Sequence, residues 1–380
     1  MAKVTIIIPT YNVEMYLEEC MESVVHQTLE DIEIICINDG SSDGSLQILK
    51  KYANRDKRII LVDKENGGYG MAMNIGMDRA TGEYIGIVEP DDFVSVTMYE
   101  ELFHVAAEHN LDLVKADFYR FKRAETGNME LAYNHLSDDS GDYNKLFNPS
   151  MTPEAMRFIM NTWSGIYKRS FLEKYHIRHN ETPGASFQDN GFWFQTFIFA
   201  ERAMILDRPY YMNRRDNPNS SVHNRDKVYC MNVEYDHIRD ILMEYPELWE
   251  RFKGMYWYKK YFNYMGTIDR IGEEYKEEYI KRFSAEFKRG IDKGEVDKAL
   301  FSEISWAKIQ MIVSNPQAYY QTRVMPPIRE RRLQARVERL QKRNQQLSEE
   351  LDCMKRSVSY RLGRILTFLP RKIRNIFSGR

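Results

Sequence analysis

At 380 residues with 43% hydrophobic side chains, the chain is long and apolar enough for a main globular domain of roughly 200 to 250 residues plus an appendage. The net charge of -2 hides an acidic body and a basic tail, because residues 353–380 hold Lys355, Arg356, Arg361, Arg364, Arg371, Lys372, Arg374 and Arg380 without one acid. The four cysteines, Cys20, Cys36, Cys230 and Cys353, form no CxxC or Cys/His spacing, which argues against a zinc site or a disulfide framework and suits a reducing cytosol.

Residues 4–8 read as a buried strand that follows neither a basic leader nor a cleavage site, and no apolar stretch reaches the roughly 20 residues of a membrane span. Export and membrane spanning are therefore not expected. The loop Pro9-Thr10-Tyr11-Asn12 comes next, and 15–27 sets Met15, Leu17, Met21, Val24 and Val25 at helical spacing. Strands at 33–38, 59–62 and 84–88 then alternate with helices at 45–53 and 70–78. That alternation predicts an α/β fold with a mostly parallel sheet. A helix at 98–108 and a strand at 113–121 precede a long surface loop at 125–149, rich in Asn, Asp, Ser and Gly. Helical segments are expected within 152–171, a helix at 187–200, a strand at 203–212 and a mobile loop at 213–225.

From 228 to 318 the sequence is aromatic and charged with helical periodicity, and Pro316, Pro326 and Pro327 then interrupt it. Beyond them Leu333, Val337, Leu340, Asn344, Leu347, Leu351, Met354 and Val358 keep an unbroken 4-3-4-3 spacing. This is the seam of a coiled coil, and Leu at d with Asn344 at a favours a parallel pair. The alternative is one amphipathic helix packed on its own body. The expected division is a main domain at 1–225, a small helical domain at 226–325, a dimeric coiled coil at 328–358 and a tail at 359–380.

Three features carry chemistry. Asp39 in Ile37-Asn38-Asp39-Gly40-Ser41-Ser42-Asp43 follows a strand directly, and Glu89-Pro90-Asp91-Asp92 follows another. At the C-terminal ends of parallel strands, such side chains face the crevice where ligands bind. Three carboxylates within four residues repel unless a cation or proton intervenes, so a divalent cation is the economical reading of the second site. Each acid also has a simpler reading as the N-cap of the next helix. Asn66-Gly67-Gly68-Tyr69-Gly70 precedes the third helix, where glycines permit close approach and a helix N-terminus favours an anion. The first strand is not followed by GxGxxG, which counts against a nicotinamide dinucleotide fold.

Together with Ala72-x-Asn74-x-Gly76 and Gly82-Glu83-Tyr84-Ile85, these motifs resemble the family 2 glycosyltransferases of GT-A fold across roughly residues 3 to 225. The resemblance implies a GT-A, Rossmann-like domain and a nucleotide-sugar donor, usually a UDP-sugar, with Pro9, Thr10, Tyr11 and Asp39 at the uridine and Asn66 and Gly68 nearby. It assigns Asp91 to a manganese or magnesium ion and Glu89, one methylene longer than the family's first Asp, to sugar or ribose hydroxyls. Met73 stands where the family often has Arg. The catalytic base falls on Asp189, with Gln188 replacing the family's Glu, and an N-cap is the alternative. Arg214, Ser220 and His223 lie where related enzymes close a loop over the donor, with His223 a candidate metal ligand.

The implied reaction is metal-dependent, inverting transfer of a sugar to a hydroxyl of a glycan, lipid-linked oligosaccharide or teichoic acid. A nucleotidyltransferase and a non-catalytic sugar-nucleotide-binding scaffold are the alternatives. In the tail, Leu362, Ile365, Leu366, Phe368, Leu369, Ile373, Ile376 and Phe377 alternate with the cations, which suits an anionic membrane surface. Nucleic acid is not expected as a partner, since no recognised binding motif accompanies the charge. The chain is expected to be cytoplasmic, peripheral on the inner face of the cell membrane, and homodimeric.

Overall fold

The computed structural model describes residues 2–124, 127–185, 187–220 and 224–365. They divide into two compact units, Met1–Ser314 and Asn315–Arg380.

The first unit is built on one mixed sheet. Strands β1 (Val4–Thr10), β2 (Ile32–Asp39), β3 (Ile59–Lys64) and β4 (Tyr84–Ile87) pair parallel with one another, with helices α1 (Glu14–Val25), α2 (Ser45–Ala53) and α3 (Tyr69–Arg79) between them in sequence. Every β1 residue is buried, as befits a strand covered on both faces. Helix α3 packs closely on this half: a Cβ on Gly76 would lie 2.6 Å from Ile7 Cγ2. Strand β5 (Phe93–Val94), helix α4 (Met98–Glu108) and strand β6 (Leu113–Arg123) follow. After them come β7 (Met129–Asn134), β8 (Gly165–Lys168), α5 (Arg169–Lys174), α6 (Asp189–Phe199) and β9 (Ala203–Arg214). The sheet order is β3-β2-β1-β4-β8-β6-β9-β5, and β7 also pairs with β6, along Phe118–Arg123, beyond the Leu113–Lys115 stretch that β8 pairs.

This is the expected α/β architecture, with two local corrections. The segment read as a long loop carries β7, paired antiparallel with β6 from Phe118–Asn134 to Arg123–Met129. Asp117 organises that polar stretch: wholly buried, it accepts hydrogen bonds from Tyr133 Oη, His135 Nδ1, the Leu136 N–H and Tyr143 Oη. Within 152–171 the expected helical segments are present, a 3-10 helix at Pro153–Arg157 and the start of α5, but between them lies β8, not foreseen, which bridges β4 and β6 with antiparallel pairing on both sides. Four residues are too few to show a period, so only the pairing partners make this strand.

Helices α7 (Cys230–Met243), α8 (Pro246–Arg270), α9 (Lys276–Asp292) and α10 (Glu303–Ser314) belong to the same unit as the sheet. Their core holds a buried ion pair, Lys260 Nζ to Glu286 Oε2 at 2.9 Å, with Tyr264 Oη and Arg282 Nε also donating to Glu286.

The second unit contains α11 (Pro316–Tyr319), a π-helical turn at Tyr320–Val324, and the 32-residue α12 (Met325–Arg356). As expected, helicity breaks before Pro316, which opens α11, whereas Pro326 and Pro327 stand in the first turn of α12, directly after the π-helical turn. The heptad seam runs along α12 with its leucines exposed, from 45% at Leu347 to 61% at Leu333.

Candidate active site

The sheet register brings the sequence motifs to one edge. Thr10 pairs with Asn38, Asp39 with Lys64, and Ile7 with Ile87, so Tyr11, Asp39 and Glu89 leave adjacent strands at their C-terminal ends. Pro9 and Thr10 are buried, whereas Tyr11 is 51% exposed, a ring open to a planar ligand.

Asp39 does not cap α2; that bond comes from Asp43, whose Oδ1 accepts the Ser45 N–H at 3.0 Å. Asp39 instead accepts the N–H groups of Gly67 at 2.8 Å and Gly68 at 2.9 Å, with Lys64 Nζ at 2.5 Å from Oδ1. The anion held at the start of α3 is thus the chain's own carboxylate. Asn66 Nδ2 adds a bond to the Asp39 carbonyl at 2.9 Å. Gly68 has φ +92°, and a Cβ there would meet Gly184 N at 2.7 Å and Thr182 O at 2.9 Å. The glycine turn therefore admits the 182–184 segment against its backbone. Met73, where the family often has Arg, is fully buried in the core.

The three acids after β4 take different places. Asp92 is 1% exposed, and its two oxygens accept the Arg214 N–H at 2.6 Å and Asn213 Nδ2 at 3.0 Å. Burial, with the Asp91 charge beside it, pushes its carboxyl up to about 8. Glu89 and Asp91 stay partly exposed. Asp91 Oδ2 accepts Asn217 Nδ2 at 2.8 Å, and its carbonyl accepts Arg214 Nε at 2.7 Å. Glu89 is held at both ends, its N–H donating to Tyr211 Oη at 2.9 Å and its Oε1 accepting from Tyr69 Oη at 2.8 Å. Burial pushes the Glu89 carboxyl up to about 8, opposed by the Tyr69 hydrogen bond and helped by Asp91, Asp92 and Asp189. No side chain in this turn caps α4, whose N-cap residue is Thr97.

Asp189 opens α6 and accepts from Asn190 Nδ2 at 3.0 Å. Burial raises its carboxyl above the usual range, against hydrogen bonds from Asn190 and its own backbone. Its charge is felt by both Glu89 and Tyr69, so acids more than 90 residues apart in sequence share one electrostatic neighbourhood. Gln188, at 1% exposure, donates through Nε2 to Thr182 O, Thr182 Oγ1 and Gly184 O at 2.8–3.2 Å. The carbonyl oxygens of Thr182 and Gly184, which can only accept, call for the amide donor that stands here where the family has an acid.

Arg214 departs from its expected place in a closing loop. It ends β9 and is buried, its guanidinium bonded to Glu19 and Asp216 and lying 4.6 Å from the Tyr16 and Phe121 rings. Arg215, exposed and under the influence of the Asp91 and Asp92 charges, is the cation that faces outward here. Ser220 is half-buried, its N–H donating to Asn217 O at 3.3 Å. His223 lies outside the described residues.

Among the described residues, no group of three or more His, Cys, Asp or Glu is arranged to enclose a metal ion. Asp92 is committed to its two donors. Asp91 suits a magnesium-type site, in which one or two carboxylates are completed by substrate phosphates and water. Sequence reasoning missed Tyr69, Tyr211 and Asn217, which act on the acids across 20 to 126 positions and leave no local pattern.

The sequence profile of glycosyl transferase family 2 matches residues 5–182. Over 224 residues the chain is 38% identical to an uncharacterised glycosyltransferase, EpsJ, of Bacillus subtilis, covering 57% of this chain and 62% of that protein, less than two thirds of its length. Over 262 residues it is 32% identical to YibD, an uncharacterised glycosyltransferase of Escherichia coli, covering 64% of this chain and 74% of that one. In fold it is similar to TarS residues 1–349 of S. aureus in complex with UDP-GlcNAc, with a TM-score of 0.57, 19% identity, and 84% and 91% of the two chains covered.

Proposed function

The chain belongs to glycosyl transferase family 2, and on that premise we propose that it transfers a sugar from a UDP-sugar to an acceptor hydroxyl with inversion. The carrying observation is that one segment ties the strand-end acids together, Gly67 and Gly68 donating to Asp39 and the adjacent Tyr69 to Glu89, with the Asp189 charge in the same electrostatic neighbourhood. The complex of the fold neighbour with UDP-GlcNAc supports a uridine donor.

Tyr11 stacks on the base. Asp39, with three of roughly four acceptor positions filled, has one left for the base N–H. Glu89, fixed by Tyr69 and Tyr211, meets the sugar hydroxyls. Asp189 accepts the proton of the acceptor hydroxyl as its oxygen attacks the anomeric carbon. The bond to the diphosphate breaks on the opposite face, and its electron pair leaves with UDP. A manganese or magnesium ion, held by Asp91 and, on the family pattern, His223, would supply positive charge at the diphosphate. Arg215, with Ser220 on the same loop, supplies the chain's own cation there.

We further propose a hydroxyl of a glycan, lipid-linked oligosaccharide or teichoic acid as acceptor, with the α12 seam forming a parallel homodimer. The basic apolar tail would then rest on the anionic inner face of the membrane. Most of that tail, residues 366–380, lies outside the described residues, and no described helix is long and apolar enough to cross a membrane.

The test is Asp189→Asn in the full chain with manganese and a panel of UDP-sugars. UDP binding stays close to wild type while transfer and UDP release fall at least about 100-fold, the range of a lost general base. Retained turnover removes Asp189 from this role.

A further inference from the structure

Among the described residues, the N-cap residue of helix α6, Gln188, makes no side-chain cap bond to the helix. The free N–H groups of a first turn need acceptors, and here one comes from another element. Glu234 on α7, 1% exposed, accepts the Gly191 N–H through Oε1 at 2.8 Å and Asn180 Nδ2 through Oε2 at 3.1 Å. A Cβ on Gly191 would fall 2.1 Å from Glu234 Oε1, so only glycine admits this carboxylate. A second arm comes from α8: Asn263 Nδ2 donates to Asn190 Oδ1 at 2.9 Å and Tyr235 Oη at 2.8 Å. Asn190 Nδ2 in turn donates to Asp189 Oδ1 at 3.0 Å.

We infer that Glu234 is the positioning residue of the Asp189 base, its carboxylate holding the first turn of α6 through the Gly191 N–H and setting a second negative charge beside Asp189, where the family's acid is replaced by the neutral Gln188. The inference rests on the reading of Asp189 as the base, and it gives the helical segment a part in the chemistry. Glu234 faces Asp189 on α6 and the neutral Asn180, with Tyr235 and His237 nearby on α7. Asp189 itself is faced by Glu89, Tyr69, Asn190 and Tyr235. Burial pushes the Glu234 carboxyl up to about 7, opposed by the Asn180 and Gly191 hydrogen bonds and helped by the Asp189 charge. Glu234 thus ionises near neutrality, and its charge strengthens the hold of Asp189 on a proton.

The test compares full-length wild type, Glu234→Gln and Glu234→Asp. In protein labelled with carbon-13 at Asp carboxyls, the Asp189 resonance is identified by its loss in Asp189→Asn. In wild type it carries an inflection near pH 7 from its neighbour, and Glu234→Gln loses that inflection; an identical titration in both overturns the inference, whatever the donor. In UDP release from UDP-GlcNAc, Glu234→Gln has kcat about tenfold lower with KM within about twofold, and Glu234→Asp restores part of it. Wild-type kcat and pH profile in folded Glu234→Gln overturn the inference alone. Turnover retained in Asp189→Asn overturns the underlying reading of the base, while the carboxyl titration still reports on the Glu234 contact.

Discussion

Tyr69 Oη donates to Glu89 Oε1 at 2.8 Å, joining the first residue of α3 to the turn after β4. The two N–H groups just before Tyr69 bind Asp39. One short segment therefore links the proposed nucleotide and sugar sides of the site.

Tyr69→Phe removes this link and leaves the half-buried Glu89 without its hydroxyl donor. With its carboxyl pushed up to about 8, Glu89 is mostly protonated at neutral pH, and a lost hydrogen bond to a neutral group costs about 0.5–1.5 kcal/mol, so kcat/KM for the donor falls about 2- to 10-fold with the fold intact. Steady-state kinetics alongside circular dichroism measure it; unchanged kinetics would take Glu89 out of donor binding.

Gln188→Glu restores the family's usual acid yet places it against the Thr182 and Gly184 carbonyl oxygens. Leaving such groups unsatisfied costs about 1–3 kcal/mol, more with a charge. Denaturant titration should show that loss, and a variant as stable as wild type would mean the amide contacts do not matter.

At Gly68, alanine meets both an unfavourable φ of +92° and the Gly184 and Thr182 backbone. Positive φ alone costs a non-glycine residue about 1–3 kcal/mol, and the contact adds to it. Gly68→Ala is therefore expected to unfold at lower temperature and to bind UDP more weakly, because it displaces the turn that holds Asp39. Calorimetry by thermal scan and by UDP titration reads both.

The Glu286 carboxyl lies at about 2, burial pushing it up but Lys260, Arg282 and Tyr264 pulling it down further. A depressed carboxyl contributes stability above its unfolded value of 4.5 and loses it as pH falls through the folded value. The window is therefore about pH 4.5 to 2, with about 3 kcal/mol at stake. Glu286→Gln should be less stable than wild type at pH 6, by urea unfolding, with the gap closing toward pH 3. A constant gap would assign the loss to packing.

Leu340 and Leu347, 56% and 45% exposed, sit at successive d positions of α12. If two chains pair through this seam, Leu340→Glu with Leu347→Glu halves the solution mass measured by sedimentation at micromolar protein, without loss of the folded first unit. A wild-type chain that sediments as a monomer would refute the pairing.

Much of the fold was legible because local pattern and final structure agree. Helices 45–53 and 98–108 have the bounds their periodicity predicted, and the strand–helix alternation through β4 foretold the parallel half of the sheet and the strand ends bearing Asp39 and Glu89. Beyond β4 the reading thinned. Strands β5, β7 and β8 hold two, six and four residues. They exist through β9, β6 and the β4–β6 gap, partners that no local window contains.

By itself the sequence determined the α/β class, the family, and which acids stand at strand and helix ends, because these follow from apolar spacing and short contiguous motifs. Only the tertiary structure decided what each acid does. It buried Asp92 under Arg214 and Asn213, gave Asp39 the N–H groups of α3, tied Arg214 down, and brought Glu234 to the first turn of α6. The physical reason is that desolvation and hydrogen bonding depend on what lies within a few ångströms, and in a crossover sheet those neighbours come from chain segments far away.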